Sequence, residues 1–117
     1  MRFALLLAIV DNQMEDQAID IAKANGAGGV TQLKGTGIGL DEKKTFFGLT
    51  YERSETILLF VLEKKTSLKV MKALNKELDL EESGNGMVLT MPIEHLAGMP
   101  MKQVERFQQQ LKEENAI

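Results

Sequence analysis

Two short, unbroken apolar runs constrain this chain more than any other feature. Residues 3–10 read Phe-Ala-Leu-Leu-Leu-Ala-Ile-Val and residues 57–62 read Ile-Leu-Leu-Phe-Val-Leu. Each has the length of a strand, whereas a membrane-crossing helix takes about 20 apolar residues. A half-exposed strand alternates apolar with polar, but these runs are apolar at nearly every position, so both of their faces need cover. They predict the two middle strands of one sheet.

The remaining elements follow from spacing. Asn12 with Glu15 three residues later is a helix-start pattern. Met14, Ala18, Ile21 and Ala22 repeat at helical intervals, and Asn25-Gly26 ends the helix with a left-handed glycine. A second strand is predicted from about residue 29 to 34. Thr66 is read as the cap of a second helix whose apolar face holds Met71, Leu74 and Leu78, flanked by Val70. A turn over residues 81–86 leads to a strand over 87–91, which Pro92 ends. From Pro100 a third helix carries the stripe Met101, Val104, Phe107 and Leu111.

Strand, helix, strand, strand, helix, strand is the order of an α+β, ferredoxin-like βαββαβ sandwich. It has a four-stranded antiparallel sheet with both helices on one face, a long loop between strands 2 and 3, and a C-terminal helix. Residues 1–99 form the domain and residues 100–117 a helical extension. No helix of the repeat covers the second sheet face, so the apolar runs predict that other copies of the chain bury it.

The second strand runs into Gly35, Gly37 and Gly39, where the backbone is expected to bend or to let something approach closely. From Thr36 to Glu55 the periodicity fails. The stretch is either an irregular loop that meets a partner or an extended hairpin whose arms pair with each other.

Composition removes several functions. A net charge of −3 leaves no basic stripe for nucleic acid, and aromatics at 5%, with no Trp, leave no stacking platform. Without cysteine there are no disulfides, thiolate metal sites or cysteine nucleophiles, and a reducing cytoplasm is the expected compartment. Asp11-Asn12-Gln13 stands where a signal peptide would carry small residues for cleavage.

With that order in hand, the sequence resembles the PII-like family of signal-transduction proteins over residues 1 to about 99. The likeness rests on Lys34-Gly35-Thr36-Gly37 at the end of the second strand and on Gly84-Asn85-Gly86 before the last one. The first matches the family's Lys-Gly-aromatic-Gly, which leads into its T-loop, and the second its Gly-Asp-Gly B-loop. The resemblance implies a homotrimer with adenine nucleotides in the clefts between subunits. It also implies a target protein, a membrane transporter or a metabolic enzyme, contacted through residues 38–54. The nucleotide would be AMP, ADP or ATP, with no metal inferred, no nucleic acid and no membrane insertion. The residues carried over as a site are Thr31, Lys34, Gly35, Thr36, Gly37, Gly84, Asn85, Gly86 and Met87. Turns of the Gly84-Asn85-Gly86 kind can aim successive backbone N–H groups at an anion. Thr31 and Lys34 could add a hydroxyl and a charge.

The chain departs from the family at telling places. Met87 stands where well-known members have a phosphate-binding Lys, and residues 93–99 lack their two Arg, none occurring until Arg106. A triphosphate needs several charge-assisted contacts, so a mono- or diphosphate, another small anion or no nucleotide fits better than ATP. The glutamine of 2-oxoglutarate-binding members has no counterpart at Ile38 or Gly39, and Tyr51 has different neighbours from the modified tyrosine of some members.

Single residues add little chemistry. His95 is the sole histidine and has no convergent partner for metal or base work. Glu81 and Glu82 read as solvated, and the methionines as fillers of irregular interfaces. Phe46 and Phe47, adjacent in a polar loop, are either folded under it or presented to a partner, and the second is the reading taken. The reading is a non-enzymatic sensor whose loop state follows effector binding. Two other readings stay open. One is an amino-acid- or small-anion-binding regulatory module of the same topology. The other is an acyl phosphatase, for which the turn at Asp11-Asn12-Gln13-Met14 offers an Asn but no cation.

Overall fold

The computed structural model describes residues 2–38, 45–46, 49–50, 52–84, 86–99 and 109. Its core is the expected ferredoxin-like sandwich. Strands β1 (Phe3–Asp11), β2 (Thr31–Ile38), β5 (Glu52–Glu63) and β6 (Gly86–Pro92) form an antiparallel sheet in the order β2-β5-β1-β6. The two apolar runs are its middle strands, as their composition predicts. Helices α1 (Glu15–Ala24) and α2 (Lys64–Glu77) cover one face, and a four-residue helix, α3 (Leu80–Ser83), follows α2. Strands β3 (Thr45–Phe46) and β4 (Leu49–Thr50) make a separate two-stranded ladder.

The middle strands bury alternate residues despite their unbroken apolar sequence. Ala4, Leu6, Ala8 and Val10 of β1 and Thr56, Leu58, Phe60 and Leu62 of β5 point toward the helices and are buried. Ala18, Ile21 and Ala22 of α1 and Val70 and Leu74 of α2 close over them. The other face carries apolar rows that cross all four strands. Leu33, Ile57, Ile9 and Met87 stand side by side in register, followed by Thr31, Leu59, Leu7 and Leu89. The centre of that face is half-buried by its own neighbours, while Leu33 at one edge is 50% exposed and Met87 at the other 58%.

Several local expectations are corrected. The second strand does not stop near residue 34. Gly35 and Gly37 lie inside β2, paired with Glu55 and Arg53, because the ladder to β5 supplies the hydrogen bonds that glycine's weak strand preference does not forbid. The chain from Thr36 to Glu55 follows the hairpin alternative where it is described, since β2 and β5 stay paired out to Ile38 and Glu52. Asp11, not Asn12, accepts from the Gln13 amide and opens a 3-10 turn, Asn12–Met14, ahead of α1. Glu63, not Thr66, caps α2. Its carboxylate accepts from the amides of Lys65 and Thr66, and Thr66 is buried inside the first turn. The expected turn at residues 81–86 overlaps α3, which is entered through Asp79 at φ 51° and left through Gly84 at φ 65°. Gly39, Phe47, Asn85 and, apart from Gln109, the C-terminal helix read from Pro100 lie outside the described residues.

Candidate functional site

The two glycine motifs sit at the same level of the sheet, on opposite edges. Lys34 pairs with Thr56, Thr56 with Val10, and Val10 with Gly86, so one row joins them across the sheet. Three strand spacings of about 4.8 Å separate them by roughly 14 Å. Two strands stand between, so one chain cannot close both motifs on a small molecule.

The pleat sorts the candidate residues by face. Thr31, Gly35, Gly37 and Met87 share the helix-free face, because their register partners are Leu59, Glu55, Arg53 and Ile9. Lys34 and Thr36 belong to the helix side. Thr31 and Lys34 therefore do not present a hydroxyl and a charge together. The Lys34 ammonium is instead held by Asn12 Oδ1 at 2.9 Å, by Thr56 Oγ1 at 3.2 Å and by a short contact with Glu15 Oε2. The Thr56 hydroxyl, fully buried, donates to the same Asn12 oxygen at 3.0 Å. This knot ties edge strand β2 to the β1–α1 turn.

The glycines differ in what they permit. At Gly35 an added Cβ would lie 3.7 Å from Ile57 Cδ1, an ordinary contact, so the position is open for local steric reasons. At Gly37 the Glu55 carboxylate occupies the space, 2.5 Å from where a Cβ would stand. Gly84 adopts the left-handed conformation with nothing within 4 Å of a Cβ. Gly86 has no room at all, since its Cβ would fall 2.3 Å from the carbonyl oxygen of Ile9. Packing of β6 on β1 thus accounts for Gly86 without any ligand.

The structure adds residues that sequence reading missed. Arg53 donates to the carbonyl oxygen of Gly84 at 3.1 Å, with Asp11 Oδ2 3.8 Å from its Nε. At this end of the helix-free face Asp11, Arg53 and Glu55 replace the aliphatic rows. Beside the Gly84–Gly86 turn a cavity of about 390 Å³ opens at the β6 edge, lined by Lys72, Asn75, Glu81 and Met87 among others. Arg53 has no motif around it, and Lys72 reads as an ordinary solvated helix lysine, so only the register and the α2–β6 packing reveal them.

His95 is exposed in the segment after β6. Among the described residues no group of three or more His, Cys, Asp or Glu could hold a metal ion. Among them, too, no helix is long and apolar enough to cross a membrane.

No protein-family model matches the chain, and no curated protein matches its sequence. Solved structures do. The ATP complex of GlnK from B. subtilis matches with a TM-score of 0.64 at 14% identity, over 79% of this chain and 82% of that one. CPII, a nitrogen regulatory PII-like protein from Thiomonas intermedia K12 bound to ADP, AMP and bicarbonate, also matches at 0.64 and 14% identity, over 86% of this chain and 98% of its own. A PII-like signalling protein from Thermus thermophilus matches at 0.59 and 16% identity, over 80% of this chain and 87% of its own. The chain has the PII-like fold, and the resemblance read from its two glycine motifs is borne out at that level.

Proposed function

We propose that this chain is a divergent PII-like signalling protein. It works as a cytoplasmic homotrimer, binds a small effector between subunits, and regulates a target protein through residues 38–54. The observation that carries the reading is the placement of the two glycine motifs at one level on opposite sheet edges. A second copy that sets its β2 edge against the first copy's β6 edge completes the site, and three copies closed around an axis in this way turn the aliphatic rows of the helix-free face inward, out of water.

The effector class is an adenine nucleotide, in keeping with the ATP, ADP and AMP complexes of the similar structures. The charge balance favours AMP or ADP over ATP. Asp11, Glu15 and Glu55 stand at this end of the sheet, Lys34 is engaged by Glu15, Arg53 donates to Gly84, and Lys72 lines the cavity beside Gly86. Arg53 also joins the base of the 38–54 segment to that turn. A ligand seated on the turn therefore acts on the segment through the Arg53–Gly84 contact, provided its affinity differs between the two segment states.

Isothermal titration with AMP, ADP and ATP, beside sedimentation of the same sample, tests this. A trimer that binds AMP or ADP more tightly than ATP supports the reading. A trimer that takes up no nucleotide but binds an amino acid or a small anion such as bicarbonate supports the alternative regulatory module. A monomer overturns both.

A further inference from the structure

We propose that the outer face of α2 docks an acidic segment of another protein, one that carries a large apolar side chain at one end. Lys65, Lys69, Lys72 and Lys76 are all exposed. At 3.6 residues per turn they fall within roughly 60° of arc and run for about 16 Å along the helix, opposite the buried Val70 and Leu74. The arrangement is costly to the helix itself. Lysines spaced three and four apart repel one another. Lys64 and Lys65 also stand in the first turn, where the helix dipole disfavours cations, and that turn holds no acid. Helix α1 has the favoured order, with Glu15 and Asp16 in its first turn and Lys23 in its last. Among the described residues no carboxylate pairs with Lys69, Lys72 or Lys76. A chain of net charge −3 thus gathers five of its 14 basic residues on one helix and keeps acids off the stripe. Breaks of a local rule such as this one concentrate at functional sites.

A groove at the head of the stripe narrows the choice of partner. It has a volume of about 650 Å³ and is lined by Arg2, Lys64, Leu68, Met91 and Leu96 among others. Leu68, Met91 and Leu96 are exposed there, and Leu68 directly precedes Lys69 of the stripe. At protein interfaces a few side chains anchored in pockets carry most of the energy, while the charges around them set register and encounter rate. A flat lipid surface cannot enter a concavity, and the exposed Glu94 on its wall repels anionic headgroups. Lysines alone would give nucleic acid phosphate contacts without any reading of bases. An acidic peptide with an apolar end matches both the stripe and the groove. Because α2 packs on the side of the sheet opposite the aliphatic rows, this surface stays outside whether the chain is single or closed with other copies. It does not depend on the nucleotide reading.

Fluorescence anisotropy of labelled peptides against the full chain tests the proposal. One peptide joins Leu-Phe to a run of about eight glutamates, which when extended spans the stripe. A second carries Ser-Ser in place of Leu-Phe. The first should bind, and the second about tenfold more weakly, since it has lost the groove anchor. K69E should weaken the first peptide about tenfold, whereas K23E, the same change of charge on α1, should weaken it less than twofold. K69E should melt no lower than the unaltered chain, because it relieves repulsion from Lys65 and Lys72, so its lost binding is not lost folding. Equal weakening by K69E and K23E would mean that only net charge is read, and would overturn the proposal. Failure of the first peptide to bind would overturn it as well. So would K69E-sensitive binding to vesicles of phosphatidylserine and phosphatidylcholine, or to duplex DNA, by a chain that ignores the peptides.

Discussion

Arg53 and Gly84 are 31 positions apart in sequence and meet through a hydrogen bond of 3.1 Å, passing over the end of β1 to do so. The contact couples the return arm of the 38–54 segment to the turn that precedes β6. Replacing Arg53 by Ala is expected to weaken nucleotide binding about tenfold, the scale of one hydrogen bond from a charged donor. Thermal stability should barely move, because the side chain is 42% exposed. Titration and a melting curve on the same variant separate a ligand-linked role from a bracing one.

The glycines at the two edges should respond in opposite ways. Gly86→Ala forces a methyl to within 2.3 Å of the Ile9 carbonyl oxygen and must displace β6. A loss of about 2–4 kcal/mol in urea unfolding is expected, in the range of overpacking and lost strand pairing. Gly35→Ala meets only Ile57 Cδ1 at contact distance and should cost less than about 1 kcal/mol. Any loss of ligand binding in Gly35→Ala then reports on the site and not on the fold.

Thr56→Val removes the buried hydroxyl that donates to Asn12 and receives Lys34. About 1–2 kcal/mol of stability should go with it. Hydrogen exchange at β2 amides should rise more than exchange at β1 amides, since the knot fastens the edge strand and leaves the middle strands paired on both sides.

Leu7→Lys places a charge among Leu59, Leu89 and Thr31 on the helix-free face. Sedimentation should shift from trimer to monomer, with the helix content of the circular dichroism spectrum retained. A trimer that survives the substitution would remove this face from the interface.

Much of the fold was legible because the decisive residues carry their own signal. Unbroken apolar runs mark β1 and β5, and Ala18, Ile21 and Ala22 mark the inner face of α1. What was not legible depended on partners. Glu63 does not look like a helix cap in sequence, and becomes one only because burial leaves its carboxylate nothing better than the amides of Lys65 and Thr66. Gly35 and Gly37 read as the end of the second strand because glycine is a poor strand former, yet the ladder with β5 holds them extended. For the site, odd spacing on one strand already separates Thr31 from Lys34 once that strand is accepted. The positions of Arg53 and Lys72 needed the register and the helix packing, which no local pattern encodes.

The aliphatic rows on the side of the sheet away from the helices have a bearing on abundance. In the proposed assembly, folding and association share a single equilibrium, so the melting temperature should climb as the protein is concentrated and sink on dilution. A cell that makes fewer copies would hold a smaller folded fraction of each, and the dose of this protein would set its lifetime.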